Sequence, residues 1–164
     1  MTVIQTERLT LQKATFDDAE FIFQLLNDPT FIDNIVDKGI KTLDDAKNYI
    51  QQSLIDSYNT HGFGLYITRL KSDNTPIGLC GLLKREELEW PDVGYALLPE
   101  FVGFGYATEG AKASMEYGFK ALGMSKIVAI TSINNAASIK VLEKVGLRRE
   151  KVIEIYGGES LLFS

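Results

Sequence analysis

Residues 92–119 read DVGYALLPEFVGFGYATEGAKASMEYGF. An apolar segment from Asp92 to Leu98 is closed by Pro99, which cannot donate to a β-ladder. A glycine-bearing turn then runs straight into a helical pattern from about Tyr106 to Leu122. A strand that passes through glycines into a helix is a place where an anion can be held. Glycine lets the backbone approach a ligand closely, and the first N–H groups of a helix have no partner of their own. Gly103 and Gly105 supply the close approach, and residues 99–108 contain neither lysine nor arginine, so a phosphate bound here would rest on main-chain donors. Two glycines after a proline also make a plain strand-to-helix turn, and the stretch by itself leaves both readings open. Two other phosphate-binding patterns fit poorly. The Gly-Lys-Ser/Thr ending of a P-loop does not occur, and Gly103-Phe104-Gly105 followed by Glu109-Gly110 is out of register with GxGxxG and lies past the middle of the chain.

Working outward, the periodicity predicts strands over 7–14, 63–70, 76–83, 92–98, 126–131 and 147–155, with a last short strand ending at Phe163. The strands at 63–70 and 76–83 are joined by KSDNT, a hairpin-like link. Helices are expected where Thr15 precedes Asp18 and Thr42 precedes Asp45 by three residues, a capping spacing. The first of these should stop at Asn27-Asp28-Pro29 and the second near Tyr58, with further helices over 106–122 and 135–144. No repeat or linker interrupts the pattern. It predicts one mixed α/β domain over residues 1–164, with a central sheet of about six to seven strands and about four flanking helices.

Composition narrows the function classes. At 164 residues and 45% hydrophobic content the chain can bury one core. No run approaches the roughly 20 apolar residues of a membrane span, and the start lacks a signal-peptide pattern, so the expectation is a cytoplasmic protein with no membrane partner. One cysteine, Cys80, and one histidine, His61, argue against a disulfide framework and against protein-supplied metal ligation. A net charge of −5 argues against nucleic acid as partner.

A second informative stretch, residues 133–150, reads INNAASIKVLEKVGLRRE. It places Asn134, Asn135 and Ser138 ahead of an amphipathic helix stopped by Gly146. Asparagine and serine at a helix start ordinarily cap it, and glycine ordinarily ends it. Taken together and in order, the strand, the GFGYATEGA turn into a helix and NNAASIKVLEKVGL resemble the two cofactor motifs of the GNAT N-acetyltransferases. The opening TERLTLQKATFDDAEFIFQLLNDP and the GYALLPE strand resemble the Rim-type branch, which contains the ribosomal-protein alanine N-acetyltransferases.

The resemblance runs from about residue 6 to the end of the chain. It implies a twisted sheet splayed between the strands at 92–98 and 126–131, with coenzyme A wedged in the gap and acetyl-CoA as co-substrate. Val102, Gly103, Phe104, Gly105, Tyr106, Ala107 and Thr108 would surround the pyrophosphate. Against the family pattern Gln/Arg-x-x-Gly-x-Gly/Ala, Gly105 and Ala107 match while Val102 departs and loses a side-chain contribution. Leu97 and Leu98 would pair their backbone with the pantetheine arm, Asn135 would brace it, and Ser138 would lie near the sulfur.

The activity so implied is transfer of an acetyl group to a primary amine, on a small molecule or a peptide, by direct attack in a ternary complex. Such a reaction needs a neutral amine, a stabilised oxyanion and a departing thiolate. Glu89 and Asp92 are candidate bases, and the Leu97 amide is a candidate oxyanion donor. The family tyrosine that protonates the thiolate falls at Leu142, which cannot do so, and this shifts the role to Ser138, as donor or by holding a water. Tyr95 is a spare candidate. Cys80 reads as packing and His61 as a loop residue. The irregular 29–41 segment and the link around Glu89 and Trp90 should carry specificity, with Asp33, Asp37 and Glu87 placed to attract a cation. A homodimer is compatible with the apolar last strand. The alternatives are a non-catalytic acyl-CoA-binding domain and a plain interaction module whose glycines serve only turns.

Overall fold

The computed structural model describes residues 1–34 and 38–164. Thr15 and Thr42 each close a capping box with the aspartate three residues on, Asp18 and Asp45. From these caps run α1 (Ala19–Leu26), entered through a tight turn at Phe16–Asp18, and α3 (Leu43–Tyr49). A short helix missed by the periodicity, α2 (Pro29–Asn34), lies between them. α3 continues through a wide π-helical turn, Ile50–Ile55, into α4 (Asp56–His61), so the second expected helix is one rod ended by Gly62 in the left-handed region at φ 82. The strands follow as β1 (Thr2–Gln5), β2 (Leu9–Gln12), β3 (Leu65–Leu70), β4 (Pro76–Leu83) and β5 (Asp92–Leu97). After them come α5 (Tyr106–Lys120), β6 (Ala129–Ser132), α6 (Ala136–Lys144), β7 (Arg149–Ile155) and β8 (Gly158–Phe163).

The described strands form two sheets, an antiparallel five in the order β1-β2-β3-β4-β5 and an antiparallel three in the order β6-β8-β7. The architecture is mixed α/β, as the pattern predicts, and the expected single sheet is realised as these two halves. They meet at one parallel bridge, Asp92 with Val128, where Val93 N–H donates to the Val128 carbonyl and Val128 N–H to that of Pro91, both at 2.9 Å. Beyond the bridge no ladder joins β5 to β6, and this is the splay. The segment read as a first strand over 7–14 is β2, while β1 escaped notice because TVIQ is too short to show alternation.

Two apolar cores sit against the sheets. One joins α1 and the α3–α4 rod, through Ile22, Leu25, Ile50 and Leu54, to Leu9, Leu11, Ile77 and Leu79. Each of these aliphatic side chains is fully buried and stabilises the fold by about 1.5–3 kcal/mol. The other joins β5 and α5 to the small sheet through Val93, Ala111, Met115, Ile127 and Leu142. α5 lies so close to β4 that a Cβ on Gly110 would stand 2.9 Å from the Cys80 sulfur. The apolar last strand that suggested a homodimer is the middle strand of the small sheet, and Leu161 and Phe163 are spent in the core.

Candidate active site

The glycine turn sits at the open end of the splay. Gly103 and Gly105 have φ of 93° and 83°, a region L-residues avoid. Gly105 ends the turn by offering its carbonyl to Glu109 N–H at 3.0 Å, which starts α5. Among the described residues none accepts a hydrogen bond from the main-chain N–H groups of residues 103–108. They form a row of donors at the positive end of a 15-residue helix. Val102 and Phe104 flank the turn with side chains 55% and 60% exposed.

The fold brings to this turn a cation that residues 99–108 lack. Arg8, the residue before β2, donates from Nη1 to the Phe104 carbonyl at 2.9 Å and from Nε to Glu109 Oε1 at 2.7 Å. Its guanidinium lies 4.5 Å over the Tyr106 ring. Glu109 Oε2 also accepts from the Arg8 N–H at 2.9 Å and from the Thr6 hydroxyl at 2.5 Å. Partial burial pushes the Glu109 carboxyl up, but these hydrogen bonds outweigh it and hold its pKa below the ordinary value. Sequence reasoning misses this brace, because no local pattern links TERL at 6–9 to TEG at 108–110. Glu109→Ala should cost about 1–2 kcal/mol, since it removes charged hydrogen bonds at a half-exposed site. Thermal melts should show a midpoint roughly 3–6 °C lower. An unchanged midpoint would show that the brace carries no stability.

β5 supplies a second row of unused groups. In an antiparallel strand, the N–H and C=O of a residue point to one side, and the sides alternate. The Ala96 carbonyl faces β4, where a Cβ on Gly78 would collide with it, and Leu98 N–H donates to the Ile77 carbonyl at 2.9 Å. Val93 N–H points the other way, to Val128. Tyr95 and Leu97 therefore turn their main-chain groups to the gap, where no described strand takes them. An extended amide-bearing chain can add there as a strand. Leu98, paired with Leu97 in the sequence reading, is fully engaged, its carbonyl accepting from Phe101 N–H at 3.0 Å.

Across the gap, Asn135 caps α6 by accepting from Ser138 N–H at 3.1 Å, which fixes Ser138 in the first helical turn. The Tyr95 phenol reaches over and donates to Ser138 Oγ at 3.1 Å. Burial raises the Tyr95 pKa, opposed by the Ser138 contact. Leu142, one turn further along α6, is 2% exposed and packed in the core.

The carboxylates stand apart from this pair. Asp92 is 1% exposed, and both its oxygens accept from Arg85 Nε, at 3.0 and 3.2 Å. Burial raises its carboxyl to about 6 even though Arg85 pulls it down. Arg85 in turn donates to the Tyr156 hydroxyl at 3.3 Å, and that hydroxyl donates to Glu87 at 3.4 Å. Glu89 is exposed on the loop before β5. Of the residues read as cation-attracting, Asp37 and the side chain of Asp33 lie outside the described residues. Cys80 is buried, with its thiol pushed up to about 12 by burial, and is unsuited to nucleophilic work. His61 closes α4 against Phe63, ring centroids 5.7 Å apart.

An anion cradle, an open strand edge leading from it and a hydroxyl pair beside that edge can together hold a phosphate-tailed, amide-bearing chain and polarise a group at its end. The sequence matches the family described as "Acetyltransferase (GNAT) domain" over residues 8–148. The uncharacterized N-acetyltransferase YnaD of Bacillus subtilis (strain 168) is 29% identical over 147 residues, spanning 90% of this chain and 83% of that protein. The crystal structure of an acetyltransferase (GNAT family) from Bacillus anthracis is similar at a TM-score of 0.82 and 27% identity, covering 99% of this chain and 96% of that one. RimL, the ribosomal L7/L12 alpha-N-protein acetyltransferase solved with coenzyme A, is similar at a TM-score of 0.83, over 99% of this chain and 96% of that one. At 16% identity this likeness is one of fold alone.

Proposed function

The chain belongs to the GNAT acetyltransferases, and from that premise we propose that it moves an acetyl group from acetyl-CoA to a primary amine by direct attack in a ternary complex. The observation that carries this reading is the pair of unused main-chain rows, residues 103–108 and the edge of β5, which converge on one gap. The first suits a pyrophosphate and the second the amides of pantetheine, so the residues present fit coenzyme A. Val102, Phe104, Tyr106, Ala107 and Thr108 shape the cradle, and Asn135 holds the far wall by capping α6.

When bound, acetyl-CoA supplies a thioester carbonyl. The Leu97 N–H, directed into the gap and without an acceptor among the described residues, is the donor we assign to the developing oxyanion. Because Asp92 is engaged by Arg85, exposed Glu89 is the carboxylate we assign to draining the amine's proton through water. Asp92 holds Arg85 and the start of β5. The TERLTLQ opening and the GYALLPE strand support a place in the Rim-type branch, and we place the protein in the cytoplasm.

Titrating acetyl-CoA into the protein by calorimetry tests this. We expect saturable one-to-one binding, followed by release of free coenzyme A with at least one member of a panel of peptide N-termini, polyamines, amino sugars and amino acids. Leucine in place of the family tyrosine at position 142 favours a second reading, a non-catalytic acyl-CoA-binding domain. That reading predicts binding without release for the whole panel. Absence of binding would overturn both.

A further inference from the structure

We propose that Tyr95 is a positioning residue that aims the Ser138 hydroxyl at the leaving sulfur, so that coenzyme A departs as a hydrogen-bonded thiolate and is not protonated by a side chain of α6. This rests on the acyl-transfer reading above. The Tyr95 phenol donates to Ser138 Oγ at 3.1 Å, which fills one lone pair and leaves the serine's own hydrogen free for another acceptor. Asn135, through Ser138 N–H, fixes the serine in the first turn of the nine-residue α6, where the helix dipole favours negative charge. The main chain of Tyr95 forms part of the same open edge that the arm would follow. Leu142, packed in the core, offers no proton.

The chemistry favours a hydrogen bond over a proton transfer. A thiol ionises near 8.5 and a tyrosine near 10, and burial moves Tyr95 further up. Handing its proton to a thiolate would therefore be uphill. In the balanced step the amine nitrogen bonds to the carbonyl carbon while the C–S bond breaks and its electron pair goes to sulfur. The surplus ammonium proton passes through water, and the thiolate takes its proton from solvent after leaving. Donation from Ser138 stabilises that charge, and donation from Tyr95 into Ser138 strengthens it.

Free coenzyme A, bound to the intact chain, is the probe. The thiol is titrated by difference absorbance of its thiolate, with no need of the acceptor amine. In the native protein the bound thiol should ionise about one pH unit lower, a tenfold effect, than in Tyr95→Phe or Ser138→Ala. The double variant should match either single change because both act through one bond, and Ser138→Thr, which keeps a hydroxyl, should stay near the native value. A Tyr95→Phe protein that titrates like the native one overturns the proposal even if Ser138→Ala shifts, since Tyr95 would then be packing alone. Equal values in all variants that bind coenzyme A likewise overturn it while leaving the acyl-transfer reading intact. Failure of the native protein to bind coenzyme A removes that reading and the proposal with it.

Discussion

Glutamate at position 105 is expected to reduce acetyl-CoA affinity at least roughly 100-fold, about 3 kcal/mol. Two effects combine. Gly105 sits at φ 83, where a residue with a Cβ costs of order 1–3 kcal/mol, and that Cβ would stand 3.3 Å from Arg8 Nη2. The new carboxylate would compete with Glu109 for Arg8 and place a negative charge beside the row of N–H groups that suits a pyrophosphate. Like charges about 4 Å apart near a protein surface repel by around 4 kcal/mol. Gly105→Asn separates the two causes. Asparagine tolerates the left-handed region and carries no charge, so it should keep a measurable part of the affinity. Calorimetric titration of both variants reads the difference. An unchanged affinity in Gly105→Glu would mean that the turn holds no anion.

Replacing Arg85 by methionine should cost about 3 kcal/mol of stability at pH 8 and clearly less at pH 5. The substitution leaves Asp92 buried without its counter-ion, and breaking one side of a buried pair typically costs 3–5 kcal/mol. The sign of the pH dependence follows from Asp92. Its folded pKa of about 6 lies above the ordinary 3.8, so between those values the folded state holds more proton than the unfolded one. This group's contribution to stability therefore falls as pH rises from about 4 through 6, then levels off. Without Arg85, which pulls the value down, the folded pKa moves higher and the falling window extends upward. At pH 5 the carboxyl is mostly protonated and needs no partner. Urea denaturation at the two pH values measures this, and an equal loss at both would show that Asp92 is not the group left stranded.

Much of the fold was legible because it is written in local signals. The threonine–aspartate spacings at 15/18 and 42/45 are real capping boxes, and the apolar runs at 76–83 and 92–98 became β4 and β5 almost to the residue. β1 and α2 were not legible, being four and six residues long without a periodic face. In the candidate site, the two glycines announced the turn and Asn135 announced its cap. Three features arise only in the tertiary structure. The Thr6–Arg8–Glu109 brace joins opposite regions of the chain. The Tyr95–Ser138 contact crosses the gap. The engagement of Leu98 but not Leu97 depends on which side of β5 each amide points, a matter of register that one sequence does not state. Asp92 reads from sequence as a candidate base; its ion pair with Arg85 is a tertiary contact that no local pattern states.

The brace beneath the glycine turn also bears on whether this motif can be transplanted. Arg8 and Glu109 are 101 residues apart, and closing so long a loop happens only as the domain as a whole condenses. The turn therefore has no independent existence as a cassette. A graft of residues 99–120 into a foreign scaffold would carry the glycines and the helix but leave behind the guanidinium that ties down the Phe104 carbonyl. An engineer borrowing the cradle must bring the N-terminal strand with it.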